Sequence, residues 1–308
     1  MMPFLALFVA MFFWGASFSL TKEVLVGLDP VFVMLVRLGV ASVVFLLASP
    51  WIPWAGIRRS LRRGDTILLT IMVLSEPCLY FLFETYALKY TTASSVGVMA
   101  GLFPLTIAVG ASIFFREFSK PVFWIGCLTA VGGVVGLTLV SAPEESAPFP
   151  LLGNMLMFGA VLLGTTYTLI ASKVAVRLNA AFLTALQAWG GALFYLVLSI
   201  IPLGRESSLT YSSSMPWSHW PESLTMAQLN KLIFLGVCVS VGSYGLFAWS
   251  ISRIRASTLA ILINFIPVMA LIFAAFHLKE PISSLQLSAI FVILAGVFIA
   301  SLGRQSSH

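Results

Sequence analysis

Charge is what this 308-residue sequence has least of. Asp, Glu, Lys and Arg make up 9% of it, against about 25% in an ordinary soluble domain, while 59% lies in the AVILMFWYC set. That shortage excludes a water-soluble globular fold. Histidine and cysteine are scarce too, at three each. His219, His277 and His308 fall in or near loops, and Cys78, Cys127 and Cys238 sit singly inside apolar runs. Neither CxxC nor a His/Cys cluster at metal-ligand spacing occurs, so the cysteines read as packing residues and no metal or cofactor is expected. GxxxxGK[ST], HExxH and GxSxG are also missing, which argues against ATP-driven pumping and against an enzyme. No filter-like carbonyl segment or charged ring points to a channel, and the short alternating segments of a membrane barrel are absent.

What is present is long apolar runs, at approximately 3–21, 31–49, 66–88, 93–115, 121–140, 151–171, 180–202, 229–251, 257–276 and 284–302. Each is about as long as a membrane-spanning helix. The first, from Pro3 to Leu20, has no Lys/Arg lead and is followed by further spans, so it reads as an uncleaved helix rather than a signal peptide. The expected fold class is an all-α integral membrane protein with ten transmembrane helices.

The few charges set an orientation. Arg58, Arg59, Arg62, Arg63, Arg116, Lys120, Lys173, Arg177, Arg253, Arg255 and Arg304 all fall on one side of this plan, whereas Lys22, Lys89, Arg205, Lys231 and Lys279 fall on the other. Glu23, Asp29, Glu144, Glu145, Glu206, Glu222 and Glu280 lie on that second side, against Asp65 and Glu117 on the first. The positive-inside rule then puts both termini in the cytoplasm, and the cytoplasmic (inner) membrane is the expected location. The net charge of +6 fits loops facing anionic lipid, with Arg58–Arg63 as the main contact, better than it fits nucleic acid. Between 203 and 228 a Ser-rich connection carries Tyr211, Trp217 and Trp220, which suit the outer headgroup layer.

Sliding the chain by 163 residues brings Ala93-Ser94 onto Ala256-Ser257, Pro104 onto Pro267, Ala111 onto Ala274, Arg116-Glu117 onto Lys279-Glu280 and Gly133-Val134 onto Gly296-Val297. Five spans separate equivalent points, so the second half enters from the opposite face. The division expected is a first five-helix repeat at 1–140, a linker at 141–150, a second repeat at 151–303 and a short tail at 304–308. Inverted repeats are a construction used by secondary transporters.

Trp14-Gly-Ala-Ser-Phe-Ser-Leu-Thr-Lys22, Arg37, Ala87-Leu-Lys-Tyr-Thr-Thr-Ala-Ser94, Pro104 and Arg116-Glu117 resemble the pattern of EamA-type permeases of the drug/metabolite transporter superfamily. Ile251 to Ser257, Pro267 and Lys279-Glu280-Pro281 repeat it. The resemblance implies a two-repeat carrier that exports or exchanges small metabolites such as amino acids. Glu76-Pro77, Glu84 and the long 203–228 connection depart from the pattern.

Several residues are candidates for the transport path. Pro104 and Pro267 should free the carbonyls of Ala100 and Ile263 near the midplane, with Gly101 and Asn264 just before them; such a carbonyl needs a partner, either substrate or a neighbouring helix. Arg37 lies roughly 9 Å and Glu84 roughly 6 Å from the outer ends of their spans, counting ~1.5 Å per residue. An Arg37–Glu84 ion pair, structural or gating, is expected. Glu76 lies deeper with no basic residue at its level, which suits proton coupling and equally suits a neutral Glu bonded to a backbone carbonyl. Trp14, Ser17, Tyr80, Gln187, Ser240, Ser243, Tyr244 and Trp249 offer polar tips on apolar bodies at similar depth, as a pocket for an amphipathic solute or an organic cation would. Gly126, Gly132, Gly133 and Gly136 suit close helix packing, either within the bundle or across a homodimer.

Overall fold

The computed structural model describes residues 2–115, 120–140, 147–200, 224–251, 253, 263 and 265–302. Asn264, Arg116-Glu117, Ala256-Ser257, most of the 203–228 connection, most of the linker and the tail lie outside them. The described residues form helices: α1 Met2–Val24, α2 Pro30–Ala48, α3 Trp54–Ser60, α4 Asp65–Val73, α5 Tyr80–Tyr90, α6 Ala93–Ala100, α7 Phe103–Phe115, α8 Pro121–Val140, α9 Pro150–Val174, α10 Ala180–Ile200, α11 Met226–Phe234, α12 Tyr244–Ile251, α13 Phe265–Phe276 and α14 Ser284–Leu302. Wide π turns at Leu74–Leu79 and Leu235–Ser243 join α4 to α5 and α11 to α12. Seven helical stretches are long and apolar enough to cross a membrane, and Pro121–Leu137, Phe265–Phe276 and Ser284–Ala300 are shorter apolar helices.

The helix starts follow from local chemistry. Asp29 accepts from the amides of Val31 at 2.9 Å and Phe32 at 3.3 Å, ahead of Pro30 at the first helical position of α2. The same device recurs 150 residues on, where Asn179 accepts from Ala181 and Phe182 at the start of α10. Thr225 and Gln228 close a capping box on α11.

Two runs that read as continuous in the sequence are broken. At Glu76 the backbone is extended (φ −148°, ψ 122°), and Pro77 has no amide to continue the ladder. At Gly101-Leu102 the chain turns between α6 and α7: the Gly101 and Leu102 amides reach back to Val98 and Met99, and those of Leu105 and Thr106 take the Leu102 carbonyl. Pro104 therefore sits in the first turn of a new helix, not within a kinked one. Pro267 lies within α13, whose described residues run Phe265–Phe276.

Packing pairs the helices reciprocally. The first π turn packs on α10 and the second on α2; α5 packs on α9, while the second π turn and α12 pack on α1; α1 packs on α13, and α9 on α6 and α7. Small residues permit the closest crossings. A Cβ on Gly126 would stand 2.2 Å from the Ala300 amide nitrogen, and one on Gly296 would stand 2.3 Å from that of Ala130. Gly126 and Gly133 are thus spent on α14 within the bundle, whereas a Cβ on Gly132 would meet nothing.

Candidate functional site

The widened backbone of the first π turn is satisfied from the opposite side of the bundle. Gln187 Nε2 donates to the Glu76 carbonyl at 3.3 Å, and the Tyr195 hydroxyl donates to that of Cys78 at 2.8 Å. In hydrocarbon those carbonyls would otherwise cost several kcal/mol, roughly, so α10 is what makes the first π turn tolerable. Across the bundle, Arg37 Nε donates to Ser240 Oγ in the second π turn at 2.9 Å. Arg37 and Gln187 stand at the same distance behind the Asp29 and Asn179 caps, so each half sends one polar side chain from that helix to the other's π turn.

Beside Glu76 of the first π turn lies a cavity lined by α1, α2, α5, α7, α9, α12 and α13 and by the helix break at Ala100. It holds about 550 Å³ of atom-free space, part of it open, but only about 40 Å³ is wide enough to take the centre of a water molecule. A solute larger than a few waters therefore has to displace the walls. Trp14, Ser17, Glu76, Tyr80 and Tyr244, expected as pocket residues, all line it, as do Arg37 and Glu84. Phe18, Phe81, Phe103, Tyr167 and Phe247 complete the aromatic lining. Sequence reasoning missed these five because one more aromatic in an apolar helix carries no mark of which way it faces.

The polar groups are arranged unequally. Tyr244 donates its hydroxyl to the Glu76 carboxyl, and Glu84 lies one helical turn after Tyr80 on α5. The expected Arg37–Glu84 ion pair is not made as a direct contact. Arg37 instead bonds Ser240 and lies with its guanidinium carbon 4.5 Å from the centre of the Phe81 ring, within the electrostatic reach of both carboxyls. Equal depth in the membrane did not imply contact, because the side chains leave their helices at different angles. Trp14 packs on Tyr244 and Phe247 at 4.9 and 5.0 Å between ring centres.

Other candidates support the site from outside. Gln187 and Ser240 hold the lining groups just described, and Ser243 donates to the Cys238 carbonyl inside its own π turn. Gly101 packs on Pro267, where a Cβ would stand 3.2 Å from the ring. Trp249 lines a separate cleft with Arg177 and Arg253, at the end of the bundle where α1 begins.

The opposite end, where α1 finishes, is tied by charge. Lys22 donates to the carbonyls of Leu88 at 2.9 Å and Thr91 at 2.6 Å, capping α5. Glu23 pairs with Lys231 and with His277. Glu280 is nearly buried and reaches across to the start of α6, accepting from the amides of Ala93 at 2.8 Å and Ser94 at 3.0 Å and from the Ser94 hydroxyl at 2.8 Å. Thr92 takes the Ser95 amide, so all three otherwise orphaned donors at this helix start have partners.

The EamA-like transporter family profile matches residues 1–139 and again 151–302. The chain is 26% identical over 249 residues to the uncharacterized transporter YetK of Bacillus subtilis, covering 80% of this chain and 71% of that one. It is 25% identical to a probable amino-acid metabolite efflux pump of Salmonella typhimurium, covering 97% and 94% of the two chains. A crystal structure aligns over 97% of this chain and 96% of its own with a TM-score of 0.64 and 18% identity, a likeness of fold.

Proposed function

Because the chain belongs to the EamA-like transporter family, a family of multi-pass membrane transporters rather than enzymes, we propose that it is a secondary carrier. Its solute is a small metabolite, such as an amino acid or related amphipathic compound, which it exports or exchanges across the inner membrane. Ten spans in two inverted five-helix units, with both termini cytoplasmic, are the architecture we assign to it. The double family match, the reciprocal helix packing and the recurrence of cap and π turn support that assignment.

The observation that carries the reading is the narrow aromatic cavity beside the break at Glu76, walled by helices of both halves. Rare wide turns at matched places supply backbone that can be rearranged without melting a whole helix, which alternating access requires. The Salmonella relative, named for amino-acid metabolite efflux, supports the solute class. Counterflow in proteoliposomes is the test: a carrier gives saturable uptake of labelled solute that is driven by the unlabelled solute inside and blocked by competitors. Linear, non-competable flux would refute it.

A second reading, proton-coupled efflux of organic cations, is favoured by one feature, the presence of two buried carboxyls at the cavity. Glu76→Gln then abolishes flux driven by a pH gradient while leaving counterflow; flux unchanged across pH in that variant would remove proton coupling at Glu76.

A further inference from the structure

Among the described cavity-lining residues, two carry a buried polar side-chain atom with no hydrogen-bond partner: Arg37, through Nη1, and Trp14, through Nε1. Both atoms are donors and neither can accept. Glu76, by contrast, already takes a hydrogen bond from the Tyr244 hydroxyl. The unmet capacity of the cavity is therefore for a group that accepts hydrogen bonds and carries negative charge, although two of its three ionisable side chains other than tyrosine are carboxyls.

We propose that Arg37 and Trp14 form the anchor for a solute carboxylate, and that this carrier selects compact monocarboxylates, zwitterionic amino acids included, over the corresponding amines. The inference rests on the carrier reading and specifies its solute. Arg37 is 1% exposed, and its orientation is set from two sides, by Ser240 at Nε and by the Phe81 ring beneath the guanidinium plane. What remains without a partner is Nη1, on the part of a guanidinium that meets a carboxylate. An unpartnered buried donor is costly in the empty state, so a solute that satisfies it recovers that cost on binding. Next to the donors, the faces of Trp14, Tyr244 and Phe247 offer an apolar wall to the solute body. A compact aliphatic body suits these apolar faces and enters as the walls part. Glu76 and Glu84, within electrostatic reach of Arg37, remain for an ammonium group where the solute has one.

The test compares three probes that share one branched body: leucine, 4-methylpentanoate, which lacks the amine, and 3-methylbutylamine, which lacks the carboxylate. Each is added to the full-length protein in detergent, and the shift in its unfolding temperature is titrated. Leucine and 4-methylpentanoate are expected to stabilise it, and 3-methylbutylamine is not. Arg37→Lys keeps the charge but loses the fork, and should weaken the two acids at least about tenfold. Trp14→Phe keeps the ring packing, removes the second donor and should also weaken both acids. Stabilisation by the amine alone, by none of the three, or by the acids undiminished in both variants would overturn the proposal. Counterflow of some other solute under those outcomes would leave the carrier reading standing, whereas its absence for every solute would remove that reading instead.

Discussion

Removing the Glu280 carboxylate should loosen the contact between the start of α6 and the segment after α13. The carboxylate accepts two backbone amides and one hydroxyl while only 9% exposed, and the Ala93 and Ser94 amides have no other partner. Hydrogen bonds to a charged group contribute about 1.5–3 kcal/mol each, and loss of a helix cap costs about 0.5–2 kcal/mol. The carboxylate's own desolvation offsets part of this gain, so Glu280→Ala should destabilise by about 2–4 kcal/mol. Glu280→Gln keeps one acceptor but turns an amide NH2 toward the second backbone donor, and about 1–2 kcal/mol is expected. Unfolding in mixed detergent micelles, followed by circular dichroism, measures both. Ser94→Ala supplies a third arm, because its effect should shrink once Glu280 is gone. An Ala variant within about 0.5 kcal/mol of the unmodified protein, a value typical of an unimportant surface change, would refute the reasoning.

Other perturbations follow from the same packing. Gln187→Leu and Tyr195→Phe each strand a carbonyl of the first π turn and should cost about 1–3 kcal/mol in the same unfolding assay, with no measurable loss counting against the role given to α10. Gly97→Val places a Cβ 2.1 Å from that of Ala270, so a destabilisation of about 1–3 kcal/mol is expected, partly reversed by Ala270→Gly. Exchanging Arg37 and Glu84 should not restore the folding or transport lost in either single variant, because Arg37 is held by Ser240 and Phe81 rather than by Glu84; full rescue would reinstate the ion pair.

Apolar runs of spanning length marked most of the helices, because hydrocarbon demands that every backbone polar group be satisfied within its own segment, and only long apolar helices do this. A repeat was read from pairs such as Pro104 with Pro267, and Trp14, Tyr80 and Tyr244, singled out as polar tips at a common depth, line one cavity together with Glu76. The breaks were less legible. Glu76-Pro77 and Gly101 were noticed, yet nothing local says that a proline opens a π turn in one helix and begins a new helix in another; α10 decides the first and the Gly101-Leu102 turn the second.

By itself the sequence determined the solvent of this fold, the number and rough limits of its apolar segments, and the family pattern, since these depend on composition and order along one strand of chain. Tertiary structure alone decided which charges meet. Glu280 looked like one more acidic loop residue of its side and proved to be the cap of a helix in the other half, while Arg37 and Glu84, close in depth, do not touch. Depth is set by counting residues along one helix, whereas contact depends on the rotation and crossing of two, and these are fixed by packing at small residues such as Gly97, Gly191 and Gly236.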